Sequence, residues 1–442
     1  MLYLIFIFFK YNFEFINSIL IYSPKFSNRL TYVLRTLINE GLGIDFELTQ
    51  QLDYFIKSSM PKINYSDENL DNCIHISPHV ILFDFGIKDY QLEVISNPQF
   101  KKILFKTSNS LIPFDLFGAS FWFLTRYEEY LPHKSDKYNR FNYKYSLAFQ
   151  YDFIDIPIVN LWLNEFKEIL KTQFPNLIFA EREYNFLSSI DIDNAYKYKY
   201  KGFVRSLAGI VADRNYKKIK LRFQIILNKV KDPYDCYDFL LSVHKQFKIQ
   251  SIYFFLLGDY GPNDKNHSAS DLRFQSLIKH LADYSLVGIH PSFSSTNNLQ
   301  QIKVETNRLT NITHKIITKS RQHFSILNFP QTYLNLIQAG ILNDYSMGYK
   351  DCNGFRASYC FPFKWYSLDS ESISALTINP FCLTENSLIT ESNKQSINIE
   401  KLAKTLIDEV KKYNGQLISI FHNDSYNQKI KDFYLTFLKL AK

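Results

Sequence analysis

Apolar positions in this chain recur with two periods, and the mixture changes near residue 180. Before that point the signals are short and irregular. Ser18-Ile-Leu-Ile-Tyr22 and Ile81-Leu-Phe-Asp-Phe85 read as strands. Asp115 opens an apolar, aromatic run to Glu129 with helical spacing, and Pro132 to Arg140 is polar and turn-like. Pro157 to Leu170 carries Trp162, Phe166 and Leu170 at i, i+4 and i+8, the stripe of an amphipathic helix. Beyond Pro175 strand and helix signals alternate. Phe186–Ile190, Ile252–Leu257, Leu286–Ile289, Lys315–Lys319, Ile341–Tyr345 and Gln416–Phe421 predict strands. Helices are predicted between them: from an Asp232-Pro233 cap to Phe247, over Ser270–Asp283, Leu299–Leu309 and Thr332–Ala339, and over Ile399–Tyr413. Such βα alternation predicts a parallel sheet closed into a barrel, with chemistry at the carboxyl ends of its strands.

Length supports two domains. A single core stops growing at roughly 250–300 residues, and the chain has 442. The expected division is a smaller α/β domain over 18–178 and the barrel over 183–442. Glycine is scarce, at 13 residues, and neither G-x-G-x-x-G nor G-x-x-x-x-G-K-[ST] occurs. This excludes a readable Rossmann or P-loop phosphate cradle. The net charge of +8 is spread along the chain, so a solvated lysine-rich surface is expected and no nucleic-acid partner. Five scattered cysteines without a C-x-x-C predict reduced thiols. The apolar run Met1–Phe9 is too short to span a bilayer and lacks the flanks of a secretory signal. The first domain is expected to begin near Ser18. No later stretch reads as an integral membrane segment, and a cytoplasmic or membrane-peripheral location is expected.

The strand ends hold the candidate chemistry. The first strand of the second domain ends Asp191-Ile192-Asp193. Residues i and i+2 of a strand point the same way, so the two carboxylates can share one pocket. There they repel unless a cation or proton relieves them. A metal ligand beside a general base is one division of labour; a loop cap at Asp193 is the other. Further strands end at His290, at Arg321-Gln322-His323 and at His422. Gly288 interrupts a strand just before His290, which suggests close backbone approach. On loops predicted to line the same rim, Asp259 and Tyr260 are candidates for the pocket wall. Arg356, beside Gly354, is a candidate for an acidic substrate group. Asp344 is a candidate to hold Arg321 or a histidine, and Trp365 is either a stacking surface or core. His75-Ile-Ser-Pro-His79 has metal-like spacing, but Pro78 disfavours the helix that spacing needs.

Ser188-Ser-Ile-Asp-Ile-Asp-Asn194, Gly288-Ile-His-Pro-Ser292 and Ile418-Ser-Ile-Phe-His422 together resemble the polysaccharide deacetylases, the NodB-type carbohydrate esterases. The preceding part, with its run Phe117-Gly-Ala-Ser-Phe-Trp-Phe-Leu-Thr-Arg-Tyr-Glu-Glu-Tyr-Leu-Pro132, resembles an uncharacterised domain found in front of a divergent branch of them. The resemblance implies a distorted (β/α) barrel of about seven parallel strands. It implies removal of acetyl groups from N-acetylated sugars with one divalent metal, usually zinc. By position, Asp191 would be the base, Asp193 and His290 metal ligands, His422 the acid, and Arg321 the group orienting the base. Zinc would polarise the acetyl carbonyl and acidify a water, while His422 would protonate the departing amine.

One position departs from that pattern. The family usually has a second histidine four residues after the first, and here that residue is Ser294. His323, from the next strand end, could complete an Asp193–His290–His323 site. The alternatives are a metal-free fold, or Ser294 acting with water. The leading function is therefore a metal-dependent deacetylase of a glycan or glycan precursor. The others are a catalytically silent carbohydrate-binding barrel, or a hydrolase of a non-sugar C–N bond.

Overall fold

The computed structural model describes residues 17–107, 111–201 and 215–442. The reading of the apolar run Met1–Phe9 lies outside them. The chain divides into two compact units. One comprises the residues up to Asp84 with Gln91–Phe121 and Leu161–Glu181; the other comprises Phe85–Tyr90, Trp122–Asn160 and Arg182–Lys442.

In the first unit, β1 (Ser18–Tyr22), β2 (Asp45–Thr49), β3 (Lys62–Asn64) and β4 (Ile74–His75) pair in the order β2-β1-β3-β4, all parallel. β5 (Ile95–Asn97) and β6 (Lys101–Ile103) form a separate antiparallel ribbon. Asp115 starts the helix Leu116–Leu124 by accepting the Gly118 amide. Phe117 packs edge-on to Phe166, and Phe114 to Trp162, on the stripe seen in the sequence. One expectation fails here. Ile81–Phe85 is not a strand; Val80–Leu82 is a single 3₁₀ turn, started when His79 Nδ1 accepts the Ile81 amide. That use of His79, together with the strand position of His75, keeps the pair off a common helical face.

In the second unit a nine-stranded sheet is built from β7 (Asn185–Ile192), β8 (Gln250–Phe255), β9 (Leu286–Ile289), β10 (Lys319–Ser320), β11 (Asn343–Asp344), β12 (Phe363–Ser367), β13 (Ser372–Ile378), β14 (Leu383–Thr384) and β15 (Gln416–His422). The pairing order is β12-β13-β11-β10-β9-β8-β7-β15-β14. Every neighbouring pair is parallel except β12 with β13. The pairings run as an open series from β12 to β14. Among the described residues eight strands run parallel, where about seven are expected, and one antiparallel edge strand is added. That edge strand is Phe363–Ser367, where no strand is expected from the sequence.

The helix breaks follow the caps. Asp271 accepts the amides of Arg273 and Phe274 and starts Leu272–Tyr284, and Asn298 starts Leu299–Thr313. Asp232 does not cap the next helix. Its carboxylate accepts the amides of Lys197, Tyr198 and Lys199, and that helix begins only at Tyr237.

Strand alternation positions the site. On one face of β7, Leu187 is followed by Ser189 and Asp191; on the matching face of β15, Ile418 and Ile420 are followed by His422. Leu187, Ile252, Phe254, Tyr345, Phe381, Ile418 and Ile420 form one buried cluster. The same face thus changes from apolar to ionisable at the strand ends. The other face packs on helices, where Ser188 Oγ meets Tyr434 OH at 2.7 Å and His244 Nε2 meets it at 2.6 Å. Gly288 allows the close approach foreseen for it. A Cβ there would lie 2.5 Å from the Phe254 ring and 2.9 Å from Lys319 O.

Candidate metal and catalytic site

Asp191 and Asp193 leave β7 toward the same side, and β9 and β10 bring His290 and His323 to them. His290 Nε2 lies 3.3 Å from Asp193 Oδ1, and His323 Nε2 lies 3.5 Å from Asp193 Oδ2. One ligand atom from each of Asp193, His290 and His323 falls within 4.8 Å of the others. Asp191 Oδ2 stands 3.9 Å from His290 Nε2. His422 is paired in register with Asp191 across β15 and β7.

Each imidazole is held through its far nitrogen. His290 Nδ1 bonds the Arg321 carbonyl, and His323 Nδ1 lies 3.1 Å from Asp264 Oδ1. Both partners only accept, so each Nδ1 carries the proton and each Nε2 presents a lone pair when the ring is neutral. Asp264 is fixed in turn by the amides of Phe293, at 2.8 Å, and Ser294, at 3.1 Å.

These residues fit a divalent cation. Asp193 Oδ1 is buried without a hydrogen-bond partner among the described residues, a cost unless something else satisfies it. Two donors on bonds of ~2.1 Å at a tetrahedral centre stand roughly 3.4 Å apart, close to the 3.3 and 3.5 Å seen here. An Asp-His-His set with outer partners on both rings suits zinc or a similar cation. Burial raises the Asp193 pKa, but the His323 and His290 rings outweigh it and hold the carboxyl well below the usual range.

Arg321 is fully buried. Its Nη1 lies 2.9 Å from Asp191 Oδ1 and also reaches Ser189 Oγ, while Nε donates to Tyr345 O. The Phe254 ring lies 4.6 Å below the guanidinium. Arg321 thereby fixes one oxygen of Asp191 and leaves the other toward the cluster. His422 Nδ1 lies 2.6 Å from Glu385 Oε1. Burial disfavours the charged ring, but Glu385 dominates, helped by Asp193 and Asp191, and the His422 pKa is pushed up to about 10. At neutral pH His422 is an imidazolium.

Other candidates fall elsewhere. Arg356 is not a rim cation. It is buried, with Nε and Nη2 on the two oxygens of Glu129, so its charge is already paired. Ser294 is exposed and bonds Ser292 Oγ at 2.9 Å; only its amide takes part, through Asp264. Asp259 pairs with Arg308 at 2.9 Å, and with Tyr260 lines a polar depression of about 240 Å³ that does not include the cluster. Asp344 accepts the hydroxyls of Ser320 and Ser346 and is not bonded to Arg321. Trp365 is core, edge-on to Tyr333. Asp264 and Glu385 were missed. Both act on histidines far away in sequence, and neither lies on a periodic pattern.

Residues 19–175 match a family of unknown function, DUF7033. No curated protein matches the chain. Among solved structures, a polysaccharide deacetylase of Bacillus cereus is similar over 58% of this chain and 86% of its own, at 14% identity and a TM-score of 0.28. A mutant of the peptidoglycan deacetylase of Bacillus subtilis is similar over 58% and 82%, at 13% identity and a TM-score of 0.26. A CE4-family pseudoenzyme from Bacillus anthracis is similar over 58% and 61%, at 10% identity and a TM-score of 0.25. None of the described helices is long and apolar enough to cross a membrane.

Proposed function

We propose that the second unit is a metal-dependent hydrolase that removes acetyl groups from an N-acetylated glycan or glycan precursor. The observation that carries this reading is the convergence of Asp191, Asp193, His290 and His323 at neighbouring strand ends, with His422 in register beside Asp191. Asp193, His290 and His323 would hold the cation, which supplies Lewis acidity toward an acyl carbonyl and lowers the pKa of water.

The chain's own groups divide the proton work. Asp191, with one oxygen on Arg321, has the other free to accept a proton from attacking water. His422, protonated at neutral pH, can give a proton to the departing amine, which leaves poorly as an anion. Glu385 keeps that proton in place. Arg321 preserves the geometry of the base rather than reacting. His323 stands in for the second histidine missing at Ser294.

Acetate release from N-acetylated oligosaccharides after zinc reconstitution tests the reading. Asp191→Asn and His422→Ala are expected to abolish turnover while remaining folded. Zinc content below about 0.2 equivalents after reconstitution would sink the metal-dependent reading. Glycan binding without turnover at any metal would favour the silent binding barrel.

A further inference from the structure

Past its ligands, the cluster continues into aromatic side chains. Phe293 follows His290 by three residues, and Phe324 directly follows His323. Phe324 and Ser325 have φ of 58° and 52°, a region bulky residues rarely adopt. In that conformation the Phe324 ring lies tilted on His323, with centroids 4.3 Å apart. Tyr138 stacks on Phe324 at 4.9 Å and meets Phe293 edge-on at 6.1 Å. Tyr138, Phe293 and Phe324 are each partly exposed. They make an aromatic wall bordering the metal cluster; Lys137 and Arg140 already lie over the Tyr138 ring, 4.9 and 5.4 Å from its centroid, and the exposed parts of the rings are apolar enough to meet the C–H face of a pyranose.

Lys350 stands over this wall. Its Nζ lies 4.1 Å from the Phe324 ring centroid. The side chain is half-buried, and its ammonium forms no ion pair among the described residues. The adjacent Asp351 makes no direct ion pair with it, because Arg140 holds that carboxylate at 2.6 Å. Burial pushes the Lys350 pKa down and Arg140 adds to that, while Asp193, Asp351 and, most weakly, Asp191 pull it up. A half-buried ammonium with no carboxylate in direct contact carries a cost that an arriving anion offsets.

We propose that Lys350 and the wall of Tyr138, Phe293 and Phe324 form a subsite for an acidic sugar, the rings taking the pyranose face and the ammonium a carboxylate or phosphate. This names the substrate class of the proposed deacetylase and rests on that reading. Lys350 fills the role for which the sequence suggested Arg356.

Calorimetric binding to the full chain, metal-free and zinc-loaded, tests the subsite. The probes are a tetrasaccharide alternating N-acetylglucosamine with glucuronate against the neutral N-acetylglucosamine tetramer, and N-acetylglucosamine 1-phosphate against N-acetylglucosamine. The wild-type chain is expected to bind at least one acidic probe about tenfold more tightly than its neutral partner. Which pair responds identifies the anion. Lys350→Met is expected to abolish the preference and Lys350→Arg to keep it. Should Lys350→Met not fold, Lys350→Gln reads the same comparison.

Equal binding of both pairs overturns the subsite, as does a preference that survives in a folded Lys350→Met protein. Acetate release, measured separately, keeps the two readings apart. A Lys350-dependent preference without acetate release from any probe overturns the deacetylase and leaves the subsite. Acetate release with no preference for acid overturns the subsite alone.

Discussion

Glu385→Gln isolates the proton that the proposed mechanism needs. Glu385 is fully buried, and its Oε1 receives His422 Nδ1 at 2.6 Å, the His422 amide at 3.2 Å and Ser425 Oγ at 3.1 Å. Its Oε2 is buried without a hydrogen-bond partner among the described residues. Glutamine can keep every bond to Oε1 and place its amide nitrogen where Oε2 stood. The change therefore removes the charge with little change of shape. That charge is the leading favourable influence lifting His422 from 6.5 to about 10. Without it, only Asp193 and Asp191 are left to oppose burial, and the ring returns toward its ordinary value. At pH 8 the wild-type ring is almost wholly protonated, while a group with pKa 6.5 is protonated only about 3% of the time, so turnover should fall about 30-fold or more. At pH 5.5 both rings are mostly protonated, and the loss should shrink to less than about twofold. The assay is acetate release from pH 5 to 9, with the His422 ring titrated by NMR as a readout free of turnover. The linkage has a matching sign. A histidine raised in the folded state adds stability below its unfolded pKa and loses it as pH rises through the folded value. Stability from this pair should thus be full below pH 6.5 and fade toward pH 10, and Glu385→Gln should flatten that slope. A variant whose pH–rate profile has the wild-type shape, or whose His422 still titrates above pH 8, would refute the reasoning.

Three further outcomes are expected. Asp264→Asn, which loosens the support of His323, should weaken zinc binding about 10–100-fold by competition with a chelating dye; unchanged affinity would remove Asp264 from the site. His323→Ala should leave less than about 0.2 equivalents of zinc after dialysis, whereas Ser294→Ala should leave the content near that of wild type, both read by atomic emission. Arg321→Lys cannot reach Asp191, Ser189 and the Tyr345 carbonyl together, so unfolding stability should drop by about 3–5 kcal/mol in urea titrations.

Much of this site was legible because a parallel sheet delivers strand ends to one edge. Knowing that β7, β9, β10 and β15 end at Asp191-Ile-Asp193, His290, Arg321-Gln-His323 and His422 was enough to gather them. Strand phase then gave direction, since Asp191 and His422 continue the faces that carry Leu187 and Ile418. The supporting carboxylates were not legible. Asp264 meets a histidine 59 residues away and Glu385 one 37 residues away, each from a loop or helix start with no periodic mark. Arg356 was misjudged for the same reason. Its partner Glu129 is 227 residues distant, and only tertiary contact reveals that the charge is already matched. Asp232 looked like a cap because it precedes proline, but three amides of the 197–199 segment outcompete the helix for it.

Placing the third candidate ligand at His323, rather than four residues after His290, also changes what a bound cation would do to folding. Two histidines four residues apart on one loop form a local chelate that an unfolded chain can still offer. Asp193, His290 and His323 come from three separate strands, and no two are closer than 33 residues in sequence. The unfolded chain has no preformed fragment of this site, so cation affinity arises only when β7, β9 and β10 are in register. The unfolded state then competes only through its scattered histidines and cysteines, and free zinc at 1,000 times its dissociation constant would stabilise the fold by up to about 4 kcal/mol. The melting temperature would rise steadily with the logarithm of zinc concentration, making metal occupancy a measure of sheet assembly itself.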